Sequence, residues 1–66
     1  MKRAALLARL RQIAKAKGVE MTMQEGGRHT KVLFDGQWVT TVARHSELPK
    51  MTANGAIRAA ERWKKA

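Results

Sequence analysis

The chain has no cysteine, so neither a disulfide framework nor a thiolate metal site is available to brace it. That suits a reducing compartment. It has one proline, no tyrosine, a single phenylalanine and two tryptophans, so few large side chains compete for the centre of a fold. Acid is the scarcest charge: five Asp and Glu stand against fourteen Lys and Arg. Glu20, Glu25, Asp35, Glu47 and Glu61 are scattered along the chain, whereas a two-metal nuclease needs carboxylates that converge on paired ions. No Walker loop, dinucleotide fingerprint or zinc motif is present. The expectation is chemistry, if any, without a metal or other cofactor. No apolar run reaches the length of a membrane span. The opening Met1-Lys2-Arg3-Ala4-Ala5-Leu6-Leu7-Ala8 begins like a signal peptide, but Arg9 and Arg11 interrupt it. A cytoplasmic protein with no membrane contact is expected.

What is present is positive charge in a small body. Sixty-six residues carry a formal net charge of +9, which attracts polyanions. Nucleic acid is the default partner of such a domain. The length allows one domain, 1–66, whose core is thin because small chains bury a smaller share of their surface.

Hydrophobic periodicity predicts five elements. Residues 2–17 read as a helix with Leu6, Leu10, Ile13 and Lys17 on one side and Leu7 and Ala14 beside them, closed by Gly18. Residues 19–24 alternate as a half-buried strand, and Glu25-Gly26-Gly27-Arg28 turns the chain. Residues 30–34 form a second strand, Asp35-Gly36 a hairpin turn, and 37–42 a third strand. Alternation places Thr30, Val32 and Phe34 on one face, with Trp38, Thr40 and Val42 joining them under the helices. His29, Lys31 and Leu33 point to the other face. Residues 43–51 are irregular, Pro49 breaks the chain, and Thr52 is the expected N-cap of a closing helix with Ala56, Ile57, Ala60 and Trp63 inward. The fold class is therefore α+β, in the order α-β-β-β-α, with two helices on one face of a three-stranded antiparallel sheet.

The segment Gly26-Gly27-Arg28-His29-Thr30-Lys31-Val32 carries the chemistry. Two glycines permit a tight turn or a close approach of backbone to another surface. An imidazole can accept a proton near neutral pH, as attack by a ribose 2′-OH on its neighbouring phosphate requires. Arg28 and Lys31 are placed to hold that phosphate. The same pattern also fits a plain hairpin with an exposed strand histidine. His45, in Arg44-His45-Ser46-Glu47, is either a second acid–base or phosphate-binding group or a solvated loop residue. Trp38 and Trp63 have the phasing of core residues, with base stacking as the alternative.

Taken in order, these features resemble the HicA family of toxin ribonucleases. The resemblance rests on Gly27, Arg28 and His29 in Gly-Gly-Arg-His-Thr-Lys-Val, on Thr41-Val42-Ala43-Arg44-His45-Ser46-Glu47, and on the close from Met51-Thr52-Ala53 through Ala56-Ile57. It covers roughly residues 6–60. Many family members have Gly-Ser-His-His where this chain has Gly-Arg-His-Thr. The resemblance implies a fold like the double-stranded-RNA-binding domain and metal-independent cleavage of mRNA by the histidine entering the second strand, here His29. The resemblance further implies a HicB-like antitoxin that covers the histidine. RNA contacts are expected from Gly27, Arg28, Lys31, Arg44 and His45. The expected states are a monomer when free and a hetero-oligomer with the antitoxin, with pairing of chains through a bare sheet edge, 21–24 or 38–42, left open. The competing expectation is a small basic module that binds RNA or DNA without cutting it.

Overall fold

A computed structural model describes residues 1–65. The elements follow the order α1 (Arg3–Lys17), β1 (Met21–Gly26), β2 (His29–Phe34), β3 (Gln37–Ala43) and α2 (Lys50–Arg62). The strands form an antiparallel meander in the order β1-β2-β3. The expected α+β architecture is present.

Helix α1 contains no Gly or Pro and is rich in Ala, Leu, Arg and Lys, all good helix formers. It buries Leu6, Leu10, Ile13 and Ala14. Gly18 closes it in the left-handed conformation (φ 71°). The Gly18 N–H donates to the Lys15 carbonyl at 3.1 Å and the Val19 N–H to that of Ala14 at 3.0 Å, the two bonds of a Schellman motif. Those bonds explain why β1 begins at Met21 rather than at residue 19. Val19 is committed to the helix end, and the Glu20 N–H and carbonyl both bond to Asp35 at 2.9 Å.

Asp35 and Gly36 both have positive φ, 50° and 80°, as a two-residue type I′ hairpin demands. The Asp35 carboxylate is held below its ordinary range chiefly by the Glu20 N–H and secondarily by the Lys65 ammonium, 3.2 Å away. A carboxylate depressed in the fold stabilises it above the unfolded-state value, and that contribution is lost as pH falls through the folded value. Stability is therefore expected to drop as pH falls below about 4. Asp35→Asn, which tolerates the positive φ, should flatten part of that drop. Thermal melts across this acid range check it, and identical acid slopes in parent and variant would refute it.

Helix α2 starts at Lys50, not after Thr52. Pro49 precedes it with φ −57° and accepts from the Ala53 N–H at 3.0 Å. Proline has no N–H to lose at a helix start, so it suits this position better than the interior. The preceding Leu48 is buried and exchanges backbone hydrogen bonds of 2.8 Å with Met1, which fixes where the helix begins. Thr52 consequently lies inside the helix. Ala53, Ala56 and Ala60 are buried, and their small side chains let α2 lie close to α1 and β3. Gly55 lies in the helix interior, and a Cβ there would meet nothing within 4 Å. Gly55→Ala is expected to stabilise the protein by about 0.5–1 kcal/mol through reduced unfolded-chain entropy. A urea titration reads the effect, and a lowered midpoint would contradict it. At the other end, the Lys17 ammonium of α1 caps α2 by donating to the carbonyls of Glu61 (2.9 Å) and Trp63 (3.0 Å).

The core lies between the two helices and one sheet face. Leu6, Leu10, Val32, Phe34 and Val42 are its largest apolar side chains without appreciable exposure. Trp63 packs edge-on against Phe34 with ring centroids 5.4 Å apart.

One strand assignment is corrected. Trp38 does not lie under the helices with Thr40 and Val42; it is 59% exposed. Val32 pairs with Thr40, but Leu33 pairs with Trp38, so Val39 is an extra residue on β3. This β-bulge reverses the alternation. Val39 enters the core at 5% exposure and Trp38 turns to the open face.

Candidate nucleic-acid interface

Strand pairing sets out the open face in three rows. Gly26, His29 and Ala43 lie across the first, at the end of the sheet that carries the β1–β2 turn. Gln24, Lys31 and Thr41 form the second, and Thr22, Leu33 and Trp38 the third. None of these nine positions is acidic. His29 and Lys31 are both exposed, as the alternation of the second strand predicts.

The β1–β2 turn places the next residues. Gly26 pairs with His29, so the loop is only Gly27-Arg28. Gly27 has φ 51° and Arg28 does not have positive φ, the sign pattern of a type II′ turn, which favours glycine first. The β2–β3 ladder runs one step further, with the Arg44 N–H donating to the Arg28 carbonyl at 3.1 Å. The Arg44 guanidinium donates to the Gly27 carbonyl at 3.3 Å and stands 3.8 Å from the Glu25 carboxylate. Arg44 thus braces the turn as well as adding charge to it. The loop that bears His45 is pinned from the N-terminal side, because the Arg3 N–H donates to the Ser46 carbonyl at 2.9 Å.

Behind His29, Thr30 is fully buried. Its hydroxyl accepts from the Arg3 guanidinium at 2.7 Å and donates to the Glu25 carboxylate at 2.6 Å. A buried hydroxyl satisfied on both sides fixes the strand from which His29 and Lys31 project on the other face. The Arg3 Nε is buried without a partner among the described residues.

The six residues expected at the site therefore gather at one end of the sheet, but in two hollows. Gly27, Arg28, Arg44 and His45 line an open one of about 550 Å³. His29 and Lys31 line a smaller one of about 130 Å³ with Gln24, Glu25 and Gly26. The two histidines do not share a hollow. Among the described residues no three His, Cys, Asp or Glu side chains cluster as metal ligands would. Nor is any helix long and apolar enough to cross a membrane.

Glu25, Gln24 and Arg3 belong to this region although the sequence did not single them out for it, and Trp38 joins it although its phasing pointed to the core. Glu25 was detectable in principle: it continues the Met21, Met23 phase and sits opposite Thr30 in the strand pair. Trp38 was hidden by the bulge, which no composition rule announces. Comparison of the chain with protein-family models, with curated proteins and with solved structures returns no significant match.

Proposed function

We propose that the chain is an endoribonuclease of the toxin type its sequence resembles, cutting mRNA in the cytoplasm without a metal and restrained by a HicB-like antitoxin. The observation that carries this reading is that His29 and Lys31 project from one strand into one hollow on the open sheet face, next to the Arg28 turn. His29 takes the proton of a ribose 2′-OH. The freed 2′-oxygen attacks the adjacent phosphorus, the bond to the 5′-oxygen breaks, and a proton from solvent or from the imidazolium neutralises the leaving alkoxide. The products carry a 2′,3′-cyclic phosphate and a 5′-hydroxyl. Lys31 and Arg28 balance the charge that builds on the phosphate oxygens. The net charge of +9 draws the strand in. On this reading the fold is a relative of the double-stranded-RNA-binding domain, and an acidic antitoxin surface covers His29.

The separation of the two histidines favours a second reading, a basic module that binds RNA or DNA without cutting. His29 then has no second histidine beside it to serve as the acid. Controlled expression in a bacterial host separates the two. Growth arrest with fragmented mRNA is the expected result. Normal growth with intact transcripts would exclude the toxin reading.

A further inference from the structure

We propose that Trp38 is a stacking platform for an unpaired base, so that the substrate is single-stranded rather than helical RNA. This rests on the RNA-directed reading above and adds to it the class of RNA and the residue that selects it.

An indole exposed by 59% is an unusual use of the larger aromatic side chains in a chain that has only three. The exposure is built in. The bulge at Val39 turns Trp38 away from the core, and bulges commonly re-aim a side chain beside a functional site. The polar edge of the ring is already satisfied, since its Nε1–H donates to the Thr41 hydroxyl at 3.0 Å. That bond orients the indole, and more than half of the residue stays open to water. Trp63, by contrast, is half-buried against Phe34.

The surroundings indicate what covers the ring. Lys31 and Thr41 occupy the row between Trp38 and His29; none of the nine outward strand positions is acidic, and the nearby Glu25 carboxylate is held by the Thr30 hydroxyl and the Arg44 guanidinium. An aromatic surface beside a cation fits a base and its phosphate. Such platforms accept any base, because every base has a π-face. A duplex offers no free base face to a flat sheet; single strands do. Trp38 and His29 are separated by four residues along the ladder, roughly 13 Å at strand spacing. A base stacked at Trp38 therefore lets the strand run over Lys31 toward His29.

The test uses a labelled twelve-nucleotide 2′-O-methyl RNA of mixed sequence, which lacks the attacking hydroxyl and so stays intact. Its binding, alone and annealed to its complement, is measured by anisotropy with the parent, Trp38→Ala and Trp38→Phe. Trp38→Ala is expected to weaken single-strand binding by about 5- to 150-fold, the range of base–aromatic stacking. It should change duplex binding little, and Trp38→Phe should recover most of the loss. In a Trp63→Phe background the remaining indole fluorescence should fall as the single strand is added. An unchanged circular dichroism melt would show that Trp38→Ala still folds. Equal single-strand affinity for parent and Trp38→Ala would overturn the platform while leaving the RNA reading standing. So would equal losses on both RNA forms. Failure of the parent to bind either form would overturn the platform and the RNA reading together.

Discussion

His29→Ala is expected to reduce RNA cleavage by about 10²–10⁴-fold, the usual contribution of a positioned acid–base group. The melting transition should scarcely move. His29 is the exposed first residue of β2, pairs through its backbone with Gly26 and Ala43, and contributes nothing to the core. The variant removes the proton acceptor and leaves Lys31, Arg28 and the surrounding charge in place. RNA binding should therefore persist while initial rates collapse, which is the signature of a lost chemical step rather than of lost affinity. His29→Gln, which keeps a polar side chain but cannot carry a proton, should be as inactive. Retention of the parent's rate by either variant would remove His29 from the mechanism.

The second large effect is on stability. Phe34→Ala is expected to cost about 3–5 kcal/mol, as deletion of a buried aromatic ring does. Phe34 is fully buried, pairs across the sheet with Met21 and supports Trp63 in edge-on contact. A domain of this length commands roughly 3–10 kcal/mol in all. No disulfide shares the load, since the chain has no cysteine. The variant should be substantially unfolded without denaturant, with loss of circular dichroism at room temperature. A cooperative melt close to the parent's would show that the core closes around the gap more readily than this packing allows.

Several features of the fold can be read from the sequence because local and tertiary demands agree. The period of Leu6, Leu10 and Ile13 fixes the buried face of α1, and Asp35-Gly36 dictates its hairpin through positive φ. The alternation of β2 places His29 and Lys31 outward with Thr30, Val32 and Phe34 inward. Where the two demands part, the sequence reading fails. Thr52 has the chemistry of a cap, yet burial of Leu48 and its bonds to Met1 start α2 at Lys50. Val19 continues a strand pattern, yet its N–H is taken by the end of α1. Val39 and Trp38 are both good strand residues, and only pairing with β2 decides which is inward. The candidate site divides in the same way. Its residues are visible in the sequence, but their distribution between two hollows depends on a two-residue turn and on Arg44 reaching back to Gly27.

The most direct test is a 5′-labelled, mixed-sequence single-stranded RNA incubated with purified protein in EDTA, beside His29→Ala. Fragments ending in a 2′,3′-cyclic phosphate should form with the parent and not with the variant. Intact RNA from both, or equal cutting by both, would contradict a metal-independent ribonuclease centred on His29.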